Sequence, residues 1–341
     1  MRFSHFITCV FAVSLLSADA TALETAPLRY DVKSQPGAFV PYAASHPTTE
    51  ANPRITRILF SIHSSDFDAL QYYKNAQQAA SRVRGALNQT LIVAPQFYEQ
   101  NVIPGAITDG LLFWRSSPYR GSSRSANGPD AKAISLSAYA VVDEWLERLV
   151  DSGNFPNVRE IVLVGHSAGG QFVQRYAMVG KYQHEMIQFR YVVSAPSSYA
   201  YPSAERYNVS KRSFLIPDET TVEQCPGYNH WGYGLEKPYG YFADVDSQAI
   251  VESYAKKRVF YLCGENDADP NDGSLGKSCG AMMQGAHRLQ RMLVFQSFLD
   301  FKYGKRITRF HKFAVVPKVG HYGFGTMTSS AGLQALFGPV R

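Results

Sequence analysis

From residue 55 onward, short apolar runs alternate with longer stretches whose apolar residues recur at helical spacing, and this alternation most narrows the fold. Residues 55–62, 91–94, 161–164, 191–193, 258–262 and 310–316 read as strands. Between them, residues 66–87, 135–150, 168–178 and 281–303 read as helices, the first with Asp66 as its cap. In the second, Ala138, Val141, Val142, Trp145, Leu146 and Leu149 fall on one helical face. Strands with no polar alternation are buried on both faces, so a mostly parallel sheet covered by helices on both sides, class α/β, is expected. Residues 30–42 read as an antiparallel edge strand or hairpin. Two stretches interrupt the pattern: residues 99–133, rich in Gly, Ser and Arg, and residues 197–249, rich in Tyr, Pro and Gly.

The beginning of the chain has a different character. Arg2, an apolar run over residues 7–16, and Ala18-Asp19-Ala20 make up a secretory leader with cleavage expected after Ala20. The run is too short to span a bilayer, and no later segment is long enough, so no membrane span is expected. Export leaves Cys225, Cys263 and Cys279, enough for one disulfide in an oxidising compartment. Cys225 and Cys279 lie in Gly-rich loop sequence and Cys263 ends an apolar run. Cys225–Cys279 is therefore the expected bridge, with Cys263–Cys279 its rival. Charged residues are only 18% of the chain, which argues against a disordered body. The net charge of +6 comes from scattered Lys and Arg, with no basic stripe interleaved with aromatics, so no nucleic-acid partner is expected. Without a C-x-x-C or H-E-x-x-H spacing, neither a metal nor a cofactor is expected.

The chemistry gathers at Gly165-His166-Ser167-Ala168-Gly169, a G-x-S-x-G run placed directly after an apolar strand and directly before a helix. That context is what the motif requires. A sharp strand-to-helix turn holds the serine in a strained backbone conformation, and its neighbours must be glycine to avoid clashes. The serine oxygen then stands exposed at a helix N-terminus, whose amides suit a developing oxyanion.

On these residues the chain resembles the α/β-hydrolases over about residues 54–337, most closely at 61–73, 165–177, 264–272 and 319–321. The resemblance implies the chain order serine, acid, histidine. Ser167 is then the nucleophile and His321, in Val319-Gly320-His321-Tyr322-Gly323, the base. Family members commonly carry G-x-x-D after the strand at 258–262, which singles out Asp267, with Asp269 and Glu265 as rivals. The oxyanion donors implied are the amides of Ala168 and Ser65, with Ser64 the rival of Ser65. Two departures stand out: Ser64 occupies a place where relatives often have glycine, and no H-G-G-G run is present.

The expected organisation is a leader over residues 1–20 and one catalytic domain over 21–341, with residues 197–249 inserted as a lid. The lid's Tyr and Trp rings suit sugars, aromatic esters or an apolar polymer, and they equally suit a hydrophobic core for the lid itself. The expected activity is secreted hydrolysis of small-molecule or polymeric carboxylic esters through an acyl-enzyme. A peptidase or amidase on the same triad is the alternative, and a silent binding scaffold, which would typically lack the serine or the histidine, is the third reading.

Overall fold

Successive side chains of the central strands face opposite sides of one sheet, as a two-residue period requires. The structure, a computed structural model, describes residues 26–103, 109–114, 119–126 and 136–339; the expected leader lies outside them. The sheet contains β1 (Leu28–Asp31), β2 (Phe39–Ala44), β3 (Arg57–Ile62), β4 (Thr90–Pro95), β5 (Glu160–His166), β6 (Gln188–Ser194), β7 (Arg258–Gly264) and β8 (His311–Val316). Their spatial order is β1-β2-β4-β3-β5-β6-β7-β8. β3 to β8 run parallel, while β1 and β2 form an antiparallel pair, with β2 also antiparallel to β4.

Ile58, Phe60, Leu163, Tyr191, Val193 and Tyr261 point to one side of the sheet. There they meet α2 (Ala138–Asp151), α3 (Ala168–Val179), α4 (Ser247–Tyr254) and α5 (Arg288–Tyr303). Leu59, Val162, Val164, Val192 and Leu262 point the other way. They pack on α1 (Ala69–Ser81), α6 (Gly323–Thr328) and α7 (Ser330–Phe337). Trp145 fixes α2 to the sheet edge by stacking on Tyr30 at 3.9 Å and meeting Phe60 edge-on at 5.5 Å.

Two helix boundaries differ from the sequence reading. α1 is capped by Asp68, whose carboxylate accepts from the Gln71 amide at 2.8 Å, and not by Asp66. Phe67 intervenes at φ 55°, a left-handed backbone that no helix can include. The expected helix over 281–303 is broken, because Gly285 sits at φ 142° and His287 recaps the chain by accepting from the Gln290 amide. A short turn, Cys279–Met282, precedes that break.

Residues 197–249 pack along the α5 flank. Tyr199 stacks on Phe295 at 4.5 Å, Tyr201 meets Phe298 at 4.6 Å, and Trp231 meets Phe242 at 4.2 Å. These rings are buried and continuous with the main core. The disulfide Cys225–Cys279 ties the segment to the turn before α5, and Cys263 is a buried free thiol.

Candidate active site

The turn between β5 and α3 carries Ser167 at φ 54°, ψ −116°, a backbone state that costs a non-glycine residue about 1–3 kcal/mol. The Ser167 amide donates to the Ser194 carbonyl at 2.9 Å, which anchors the turn on β6. Its flanks leave no room for side chains. A Cβ on Gly165 would lie 2.2 Å from the Gly169 carbonyl oxygen, and one on Gly169 would lie 2.3 Å from that of Ile62. Phe67 and Ala195, at φ 55° and 43°, follow the ends of β3 and β6 on either side. Three left-handed non-glycine residues thus sit at the carboxyl ends of neighbouring strands. Between β3 and β5 the strand order also reverses direction, the place where open α/β sheets hold their ligands.

The loops after β7 and β8 bring two further groups to this turn. His321 Nε2 lies 3.0 Å from Ser167 Oγ, and His321 Nδ1 lies 2.8 Å from Asp267 Oδ2. Asp267 is only 5% exposed, so its charge is met by the interior rather than by water. Its other oxygen faces Arg288 Nη1 at 3.3 Å. The same nitrogen reaches Asp272 at 3.3 Å, and Arg288 Nη2 donates to Ser274 Oγ at 2.9 Å. The Ser274 hydroxyl bonded to Asp272, ahead of Arg288, holds the Asp272 carboxyl down at about 2. Asp269 and Glu265 are occupied elsewhere, Asp269 by the Asn271 amide at 2.8 Å and Glu265 by the Lys318 amide at 2.9 Å.

Two histidines brace the site without reaching Ser167 Oγ. His166 packs its ring 4.5 Å from that of His321 and bonds Ser194 Oγ at 3.0 Å. Burial, then the neighbouring His321 and Arg288, push its basicity well below the ordinary imidazole range. The His63 Nε2 accepts from the Phe97 amide at 2.9 Å, so its Nδ1 carries the proton and donates to the Ser64 carbonyl at 2.7 Å. Burial lowers His63 to about 4. That neutral ring staples the loop holding Ser64 and Ser65 against the strand ends.

A cleft of about 420 Å³ opens over Ser167. One wall is Ser64, Ser65 and Asp66 with Gln71, Tyr72 and Asn75 of α1; the other is Ser274, His321 and residues 322–324. Ser65, the expected second oxyanion donor, therefore lies in the cleft wall, as does Ser64. Ala168 opens α3, where the first backbone amides of a helix have no carbonyl partner within it. None of the residues lining this cleft comes from 197–249, the stretch read as a lid.

The solved structures that resemble the chain along most of its length include two polymer-cleaving enzymes by name. One is a poly(3-hydroxybutyrate) depolymerase from Bordetella parapertussis, at TM-score 0.56 and 20% identity, covering 88% of this chain and 84% of its own. The other is poly(aspartic acid) hydrolase-1 from Sphingomonas sp. KT-1, at TM-score 0.55 and 21% identity, covering 87% and 94%. The chain has the α/β-hydrolase fold. No protein-family model and no curated protein matches it by sequence. Within that fold the strand order β1-β2-β4-β3-β5-β6-β7-β8 places the loops after β3, β5, β7 and β8 around one cleft.

Reading the sequence alone missed Arg288. A cation in the first turn of a helix opposes the helix dipole, but Arg288 is seen to open α5 only once the break at Gly285 is known, so a helix read over 281–303 hid the sign. The chain Ser194–Thr326, 2.8 Å between hydroxyls, which props His166 from behind, left no such sign.

Proposed function

We propose that this chain is an exported serine hydrolase that cleaves carboxylic esters through an acyl-enzyme. The observation that carries the reading is the unbroken line from Ser167 Oγ to His321 at 3.0 Å and from His321 to the buried Asp267 at 2.8 Å. An unassisted serine hydroxyl is a poor nucleophile. In this reading His321 Nε2 takes its proton as Oγ attacks the acyl carbon, and Asp267 stabilises the imidazolium that results. The tetrahedral oxyanion draws on the amides of Ala168 and Ser65. Collapse expels the alcohol, protonated by His321, and a water activated by the same ring releases the acid. His166, neutral and with its ring 4.5 Å from that of His321, adds no positive charge that would oppose the imidazolium.

Export rests on the leader pattern of residues 1–20 and is supported by the disulfide, which persists in oxidising compartments. Among the described residues no helix is long and apolar enough to cross a membrane. The two similar structures bear the names of polymer-cleaving enzymes, which favours including polymers among the substrates tried. Residues 197–249 serve in this reading as an insertion that fixes the 274–288 loop through Ser197, whose carbonyl accepts from Arg291 and whose hydroxyl reaches the Ser274 carbonyl at 3.4 Å.

The test is labelling by a fluorophosphonate probe together with hydrolysis of p-nitrophenyl esters of increasing chain length, a polyester and a peptide. Labelling and ester cleavage, both abolished in Ser167→Ala, are expected. Folded protein that neither labels nor cleaves any ester refutes the reading, and cleavage of the peptide alone replaces esterase by peptidase.

A further inference from the structure

At the opposite end of the sheet from Ser167, β6, β7 and β8 present a row of cations on one face. Arg190 and Arg258 stand directly opposite each other in the β6–β7 register, and Lys312 stands opposite Phe260 in the β7–β8 register. Like charges placed side by side on neighbouring strands destabilise a sheet. The arrangement therefore needs a compensating anion or a use. Arg190 has one: it pairs with Glu160 at 2.6 Å and donates to the Ala335 and Gly338 carbonyls at 2.9 and 3.0 Å. Among the described residues Arg258 and Lys312 have none, nor does Arg309 beside them. Among the described residues, none of these three has a carboxylate within ion-pair distance or a side-chain hydrogen bond.

These three cations rim a cavity of about 390 Å³, within the range of small-molecule pockets. Phe260, Ala314 and Ala331 give it an apolar floor on this side of the sheet, Phe310 lines it too, and among the described residues no acidic side chain does. Phe310 is 37% exposed, an aromatic face left open at the mouth. Among the described residues, none that lines this cavity also lines the Ser167 cleft, so the two are separate.

We propose that this cavity binds an organic carboxylate with an aromatic or short apolar body. The guanidinium groups of Arg258 and Arg309 match the two oxygens of a carboxylate, Lys312 adds a third positive charge, and the phenyl rings receive the apolar part. The acid released by ester cleavage has this chemistry, and so does an acid that has no connection with the reaction. The site does not depend on any chemistry at Ser167.

Titration calorimetry with phenylacetate as the probe tests it. Phenylacetate saturates the protein, and binding weakens at least tenfold in Arg258→Gln/Lys312→Gln. Its neutral counterpart 2-phenylethanol and plain acetate each bind at least tenfold more weakly. Phenylboronic acid, which occupies a serine-hydrolase cleft, leaves phenylacetate binding unchanged, and the double variant hydrolyses p-nitrophenyl acetate as the parent does. Absence of saturable binding, equal binding by the double variant, equal binding of 2-phenylethanol or acetate, or displacement by phenylboronic acid each overturns the proposal. Should no ester be cleaved at all, the binding measurements still decide this site.

Discussion

Glu160 and Asp267 are both 5% exposed, and each is held between two nitrogen bases, but they lie at opposite ends of the same sheet. Glu160 opens β5 and takes Arg57 and Arg190, each at 2.6 Å. Asp267 follows β7 and takes Arg288 at 3.3 Å and His321 at 2.8 Å. A guanidinium cannot give up its proton in a protein, so neither partner of Glu160 can pass a proton on, and the contact can only hold strands together. At Asp267 one guanidinium is exchanged for an imidazole that points at a hydroxyl, which under the proposed function turns the same construction into proton-transfer machinery. The backbone differs in parallel. Phe67, Ser167 and Ala195, all left-handed, stand at the Asp267 end of the sheet. One end is arranged for rigidity and the other, under the proposed function, for chemistry.

The largest effect that would sharpen this contrast is on turnover. Asp267→Asn presents the wrong hydrogen-bonding partner to His321 and should lower kcat on a p-nitrophenyl ester about 10⁴-fold, with the fold intact by circular dichroism. A loss of less than tenfold would break the comparison. Next comes Glu160→Gln, which leaves the buried Arg190 without its counter-charge and should cost about 3–5 kcal/mol. At roughly 2–4 °C per kcal/mol, the thermal midpoint should fall about 6–20 °C while kcat of the folded protein holds. A fall in kcat at unchanged midpoint would reverse the roles assigned to the two ends.

A third effect is on acid stability. His311, whose Nε2 donates to the Tyr254 carbonyl and whose Nδ1 accepts from the Tyr261 hydroxyl, is lowered by burial to about 4, as is His63. The unfolded chain takes up these protons near 6.5 and the folded chain only near 4. Their contribution is thus complete above pH 6.5, is lost as pH falls from about 6.5 to 4, and does not change further below that. Each histidine accounts for about 3 kcal/mol on this basis. Urea unfolding at pH 7 and pH 4.5 measures the loss, which His311→Asn should reduce; an unchanged slope would count against it. Smallest of all, Asp269→Asn and Glu265→Gln should alter kcat by no more than about twofold, in keeping with surface changes of about 0.5 kcal/mol.

Much of the architecture was legible because each part left a local mark. The strands announced themselves as apolar runs, and the G-x-S-x-G turn as glycines that close packing demands. The three side chains now found in line were named from chain order around recognisable strand ends. Marks failed where a long-range contact or a single backbone angle decided the outcome. Asp66 and Asp68 are chemically equal caps, and only the left-handed Phe67 between them selects Asp68. The stop at Gly285 hides inside an otherwise helical pattern. Arg57 and Glu160 are 103 residues apart, and nothing in either neighbourhood announces the pair. The aromatic richness of residues 197–249 was ambiguous for a related reason. A ring that packs on α5 and a ring that faces a ligand are written with the same letters.

Gly169 abuts the carbonyls of both Ile62 and His63, and this contact has a consequence for how such a site can vary. The two peptide stretches proposed to cradle the oxyanion are in van der Waals contact through bare backbone, with no side chain between them to absorb a shift. They can only drift together. A change that shifts one of these stretches must therefore move the other at the same time.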